Sequence, residues 1–155
     1  MIFSIDLSIA STGVTVFEDN GKYVKKLCLK TNPKNKQNVR IGIIVDSIVD
    51  LFVEYDFNLS AIVIESGFLK FIKASNALRR IEGALMYALG DLEYVFYAPT
   101  TIKKTVAGKG NASKEDVQEA ILERYDVEFS NTDESDSFAV GLTYFIKEKI
   151  IDWEK

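Results

Sequence analysis

Asp6 and Glu65 each close a short apolar run, Ile2-Phe3-Ser4-Ile5 and Ala61-Ile62-Val63-Ile64, so both carboxylates are expected at the tips of buried strands. An acid in that position costs desolvation energy unless it is hydrogen-bonded, ion-paired or bound to a metal. Taken singly, either one equally fits an ordinary strand-end acid facing water. A second pair, Asp133 and Asp136, is spaced i, i+3 at the opening of a segment whose buried side is marked by Phe138, Leu142 and Phe145. That spacing puts both carboxylates on one helix face. First-turn acids also suit the helix dipole, by about 0.3–1 kcal/mol each, and Glu134 is assigned to that role. The chain has no histidine, and four oxygen donors suit Mg²⁺, with Mn²⁺ as its substitute, rather than zinc. Two such ions roughly 3.5–4 Å apart can activate a water and stabilise the leaving oxygen in phosphodiester hydrolysis. Without metal the carboxylates repel one another, so binding should also stabilise the fold.

The elements that must position these acids are legible in outline. Strands are expected at residues 2–6, 14–17 and 23–30, with Asp19-Asn20-Gly21 as a hairpin signal and residues 8–13 as a polar loop. Apolar residues recur at helical spacing from Val39 to Tyr55 and again over residues 74–90, where Gly90 is a stop. Ala61–Glu65 and Tyr94–Tyr97 read as parallel strands, followed by a short helix over Thr100–Val106. Ser113, with Asp116 three residues on, caps a helix reaching about Tyr125, and a last helix begins near Thr132. The order gives a mixed α/β sheet with helices on its faces, in one domain spanning 1–155. Ligand sites in such sheets lie beyond the carboxyl ends of the parallel strands, where Asp6 and Glu65 stand.

The absence of histidine excludes Ser-His-Asp and Cys-His catalysis. The lone Cys28 cannot form an intrachain disulfide and is expected to be a small buried strand residue. No apolar run reaches the roughly 18 residues of a membrane span, and the N-terminus has no basic stretch ahead of an apolar one, so the expected location is the cytoplasm. Net charge is −4, yet residues 69–114 carry eight basic residues and three acids, +5, leaving −9 elsewhere. Such a tract can neutralise phosphates; a mixed, solvated surface accounts for it equally well. Gly108-Lys109-Gly110-Asn111 lacks the Gly-Lys-Ser/Thr ending of a nucleotide-binding loop.

Ile5-Asp6 with Thr12-Gly13, Ala61–Glu65, Tyr97-Ala98-Pro99, the run Ile102–Gly110, Ala112-Ser113-Lys114 and Asp133–Val140 follow one another along nearly the whole length. In this order the sequence resembles the RuvC-type Holliday junction resolvases of the ribonuclease H-like superfamily. The most specific part is Lys103-x-Thr105-Val106-x-Gly108-x-Gly110 followed by Lys114. The resemblance implies a ribonuclease H-like fold, with a five-stranded mixed sheet of three antiparallel strands and then parallel ones, flanked by helices. It implies that Asp6, Glu65, Asp133 and Asp136 hold two Mg²⁺ ions, and that Lys114 supports transition-state or leaving-group charge. Lys103 would contact phosphate, with Lys104 and Lys109 as further contacts or plain surface lysines. Phe68 would stack on an unpaired base, worth about 1–3 kcal/mol, unless it packs in the core. The implied substrate is branched DNA, above all the four-way junction, cut by a homodimer whose C2 axis matches the junction. The helix over residues 74–89 is the candidate dimer face, with packing on its own sheet as the alternative. One departure stands out: Leu7-Ser8 replaces the usual Pro-Gly after the first acid, which alters the first loop. Rival readings are another ribonuclease H-like nuclease, acting on flaps, forks or hybrids, and a catalytically silent branched-DNA binder. An actin-like ATPase is set aside, since it needs a second related domain.

Overall fold

The computed structural model describes residues 1–66 and 72–153. Five strands, β1 (Ile2–Asp6), β2 (Ser11–Phe17), β3 (Tyr23–Lys30), β4 (Ala61–Glu65) and β5 (Glu93–Tyr97), form one sheet in the order β3-β2-β1-β4-β5. The first three pair antiparallel, while β1, β4 and β5 run parallel. Helices α1 (Gln37–Glu54) and α2 (Ile72–Leu89) cover one face; α3 (Pro99–Ala107), α4 (Lys114–Leu122) and α5 (Thr132–Lys147) cover the other. The expected mixed sheet is present. Among the described residues, no helix is long and apolar enough to cross a membrane.

Strand alternation decides which side chains meet which helices. On β1 and β4, Phe3, Ile5, Ile62 and Ile64 face Ile44, Ile48, Ile81 and Leu85 of the first helical layer. Ile2, Ala61 and Val63 face the second layer, with Phe138, Val140, Leu142 and Phe145. Asp6 and Glu65 share the parity of that second set and so point toward α5. The helix is held there mainly by its apolar stripe: Phe138, Leu142 and Phe145 are fully buried, each contributing about 1.5–3 kcal/mol. Its Asn131 cap, accepting from the Glu134 amide, contributes about 1 kcal/mol.

Two boundaries and the role of one apolar stripe differ from the sequence reading. The expected polar loop 8–13 is strand from Ser11 onward, because Ser11 and Thr12 pair with Lys30 and Leu29 and Gly13 pairs with Asp6. Helix α4 stops at Leu122 rather than near Tyr125, whose ring instead packs on Phe138 with centroids 5.1 Å apart. The Ile81-Leu85-Leu89 stripe of α2, offered as a dimer face, is buried against the sheet and α1, leaving Met86 and Tyr87 exposed. That apolar stripe is core, and a dimer face on α2 would have to use other residues.

Candidate active site

Because β1 and β4 run in register, with Ile5 beside Ile64, Asp6 and Glu65 leave the sheet as neighbours at its C-terminal edge. The start of α5 brings Asp133 and Asp136 over the same edge. One carboxylate oxygen from each of Asp6, Asp133 and Asp136 lies within 4.8 Å of the others. Glu65 stands outside that trio but borders the same cavity, of about 130 Å³, together with Asp6, Asp136, Lys103 and Lys114. A space this size is small for an organic ligand, which usually needs about 300 Å³ or more; it suits ions and a phosphate group. The all-oxygen donor set fits a hard divalent cation.

Lys103 comes from α3, which Pro99 starts and Gly108, in the left-handed region at φ 79°, ends. Lys114 opens α4, whose Ser113 cap is completed by Asp116: the Ser113 side chain accepts from the Asp116 amide and the Asp116 carboxylate accepts from the Ser113 amide. From there the Lys114 ammonium reaches Asp136 in a short ion pair. Lys104 and Lys109 are exposed and outside the cavity lining; Lys109 borders a separate depression with Asp116, Glu119 and Glu123. Phe68 lies outside the described residues.

Burial, reinforced by the facing Asp136 carboxylate and opposed by the Lys114 ammonium, pushes the Asp6 carboxyl up to about 6. Burial and then the charges of Asp6 and Asp136 push Glu65 up to about 7, against the pull of Lys114 and Lys103. For Lys114, burial alone would lower the pKa, but the hydrogen bond to Asp136 and the charges of Asp136, Asp6 and Asp133 raise it. The cluster thus holds more negative charge than its one paired lysine offsets.

The consequence for stability has a definite sign. Asp6 and Glu65 bind protons more tightly folded than at their ordinary values of 3.8 and 4.5. Their contribution is full at acid pH and is lost as pH rises through about 6 and 7. The metal-free protein should therefore lose melting temperature, from these two groups, between about pH 4 and 8. Added Mg²⁺ should raise melting more at the alkaline end than at the acid end. Calorimetric scans with chelator and with Mg²⁺ at several pH values check this; a Mg²⁺ increment independent of pH would contradict it.

Several residues that shape the site carry no signal in an acid-hunting reading. Ser11 donates to Asp133 Oδ2 at 2.5 Å, and the Cys28 thiol approaches the same oxygen at 3.8 Å. Cys28 is accordingly half-buried and in polar company, unlike the apolar strand residue expected. Glu134 does more than suit the helix dipole. It is buried, bonds the Ser130 amide at 3.0 Å and pairs with Lys26 of β3 at 3.1 Å, tying the start of α5 to the sheet. Beneath the acids, Ser4 donates to the Ser137 carbonyl at 2.8 Å and Thr15 bonds the Ser137 hydroxyl at 2.8 Å. Gly13 is the tightest point: a Cβ there would sit 2.0 Å from the Asp133 carbonyl oxygen. The usable hint was small and polar residues at alternate positions of two strands, where an apolar face was due.

Comparison with known proteins follows the same lines. A family model described as crossover junction endodeoxyribonuclease RuvC matches residues 2–144. The chain is similar to the RuvC crossover junction endodeoxyribonuclease of Orientia tsutsugamushi (strain Ikeda), 31% identical over 157 aligned residues, covering 97% of this chain and 98% of that protein. It is similar to the Rickettsia massiliae (strain Mtu5) protein of the same name at 29% identity, covering 94% and 97%. Among solved structures, Thermus thermophilus RuvC in complex with Holliday junction substrate superposes with a TM-score of 0.79 at 21% identity, over 96% of this chain and 94% of that one. The fowlpox virus resolvase with its substrate Holliday junction DNA gives 0.52 at 15% identity, covering 95% and 99%. At these identities the two superpositions speak to fold. With its match running from residue 2 to residue 144, the chain belongs to the crossover junction endodeoxyribonuclease RuvC family, and is a nuclease.

Proposed function

We propose that this chain is a structure-selective endonuclease that resolves four-way DNA junctions by paired nicking, using Mg²⁺ held by Asp6, Glu65, Asp133 and Asp136. The observation that carries the reading is the convergence of Asp6, Glu65 and Asp136, from β1, β4 and α5, on one small cavity that also receives Lys114, with an Asp133 oxygen within 4.8 Å of those of Asp6 and Asp136. Similarity to RuvC proteins and to resolvases solved with junction DNA supports the substrate. Two divalent ions bound there, with Mn²⁺ able to replace Mg²⁺, would supply the charge that brings a water to attack and that steadies the departing oxygen. The protein's own groups do the rest. Asp6 and Glu65 fix the floor of the site from neighbouring strands, so their separation is set by the sheet and not by mobile loops. The Ser11 bond restrains one oxygen of Asp133 and leaves the other free to serve as a ligand. Lys114, paired with Asp136 at rest, can turn its ammonium to the phosphate as charge builds on it. Lys103 adds a second cation on the same side. Lys104, Lys109 and Phe68 complete the proposed DNA contacts.

A twofold homodimer would set two such sites against two opposed strands of the junction. Met86 and Tyr87, exposed on α2, are available to that interface. The test is a cleavage panel of four-way junction, flap, RNA–DNA hybrid and linear duplex, each with and without Mg²⁺, alongside the sedimentation mass. Symmetric nicks in the junction alone, dependent on metal, are expected. Preferential cutting of hybrids or flaps would assign the chain to another ribonuclease H-like activity, and junction binding with no nicking would make it a silent binder.

A further inference from the structure

The charge asymmetry of the chain has a second pole, on the sheet edge opposite Lys103 and Lys114. From Gly21 to Val45 there are seven basic residues and no acid. Lys22, Lys25 and Lys26 are neutralised by Glu18, Glu54 and Glu134. Arg40 is occupied within the fold, donating to the Thr31 hydroxyl at 2.8 Å and the Ile9 carbonyl at 3.0 Å. Lys30, Lys34 and Lys36 are different: all three are exposed, and among the described residues they enter no ion pair.

These three lie in or beside the connector from β3 to α1, and that connector is fastened to the rim of the acidic cluster. Thr31 donates its amide to the Ala10 carbonyl at 3.1 Å and its hydroxyl to the Ile9 carbonyl at 2.5 Å, so it is pinned to the loop that follows Asp6. Lys30 is the ladder partner of Ser11, whose hydroxyl holds Asp133. Cys28 stands two strands across from Asp6 and Lys30 two residues further along β3, so the tract begins about 12 Å from Asp6. That is roughly three to four nucleotide rises along a DNA strand.

We propose that Lys30, Lys34 and Lys36 form a second phosphate-binding surface, which grips the backbone of a DNA arm leaving the metal cluster on the β3 side. The inference rests on the junction-cutting reading above and adds where the substrate runs. Phosphates held at Lys103 and Lys114 on the β5 side and at this tract on the other would straddle the acids. The overall acidity of the chain is thereby reconciled with a polyanionic substrate. No base edge is read by such contacts, so the grip would be indifferent to sequence.

The test places K30Q/K34Q/K36Q in a D6N background, where DNA stays intact, and measures four-way junction binding in Mg²⁺ from about 50 to 200 mM salt. Against D6N alone, binding should weaken by about tenfold or more at low salt, and the slope of log K against log salt should become shallower by about two to three. The melting temperature should not move, because all three side chains are exposed. If affinity and slope match those of D6N, the tract does not touch DNA and the proposal fails. Wild-type protein run in parallel separates the two readings. If it neither binds nor cuts the junction, the functional reading falls and takes this one with it. If it does both while the triple variant is indistinguishable from its parent, only the tract is wrong.

Discussion

Asp6→Asn is expected to abolish nicking of a four-way junction, by at least about 10³-fold, since an oxygen ligand of the catalytic ions is worth several kcal/mol and each 1.36 kcal/mol is tenfold in rate. Binding of the junction should persist, because phosphate contacts come from lysines. The same substitution should raise the melting temperature of the metal-free protein near neutral pH. Asp6 is held at about 6 by burial and by the neighbouring carboxylates, so above that pH its charge opposes folding and a neutral amide relieves it. Glu65→Gln should behave alike, with the relief growing as pH rises above the ordinary value of 4.5 and complete only above about pH 7. Loss of activity together with gain of stability is the mark of a ligand; a residue that merely braces the fold would lose both. If either variant nicks at the wild-type rate in Mg²⁺, the metal assignment is wrong.

Gly13→Ala should be nearly as damaging without touching a single acid. The added methyl would meet the Asp133 carbonyl oxygen at 2.0 Å, its carbonyl carbon at 2.7 Å and the Ser137 hydroxyl at 3.1 Å. The first two atoms are backbone, so no rotamer change relieves the clash. Either the first turn of α5 lifts from β2 or the strand bows. Overpacking of this kind costs about 1–3 kcal/mol, which in a chain of this length lowers melting by roughly 2–10 °C. Displacing Asp133 and Asp136 by about 1 Å should cost on the order of 100-fold in nicking rate even where the protein is fully folded. Rates at a temperature well below the melting transition, with folding checked by circular dichroism, separate the two effects. Wild-type melting and wild-type nicking together would mean that α5 does not approach the strand so closely.

These two positions mark how far the sequence could be read. Asp6 and Glu65 were visible because an acid ending an apolar run is locally conspicuous, and Asp133 with Asp136 because helical spacing is a local rule. The sheet order followed from the sequence of strands and helices and from the resemblance. Gly13 was not legible as a contact, since its partner lies 120 residues further on and nothing in the neighbouring residues hints at it. Ser11 and Thr12 looked like loop because they are polar; their hydroxyls are in fact satisfied by Asp133 and the Ser8 carbonyl, which lets them sit in a strand. Cys28 and Glu134 look ordinary in the sequence because their partners, Ser11 and Lys26, are distant along it. The end of α4 was misplaced because Tyr125, helical by pattern, is drawn into the aromatic packing around Phe138. The connector lysines are hidden in the sequence because they belong to the part of the chain outside residues 69–114, which is −9 overall.

The joining of Ser4 to Ser137, across 133 positions, has a bearing on how the protein comes into being. During synthesis the N-terminal hairpin emerges first, and β4 can dock beside β1 once residue 65 is out. Until α5 follows, the edge carries two of the four acids and lacks the helix that closes the site. At about 5–20 residues per second, the stretch from Glu65 to Asp136 takes several seconds to appear. On the proposed assignment, the nascent chain lacks a complete site through that interval, and competence arrives as α5 seats against the sheet.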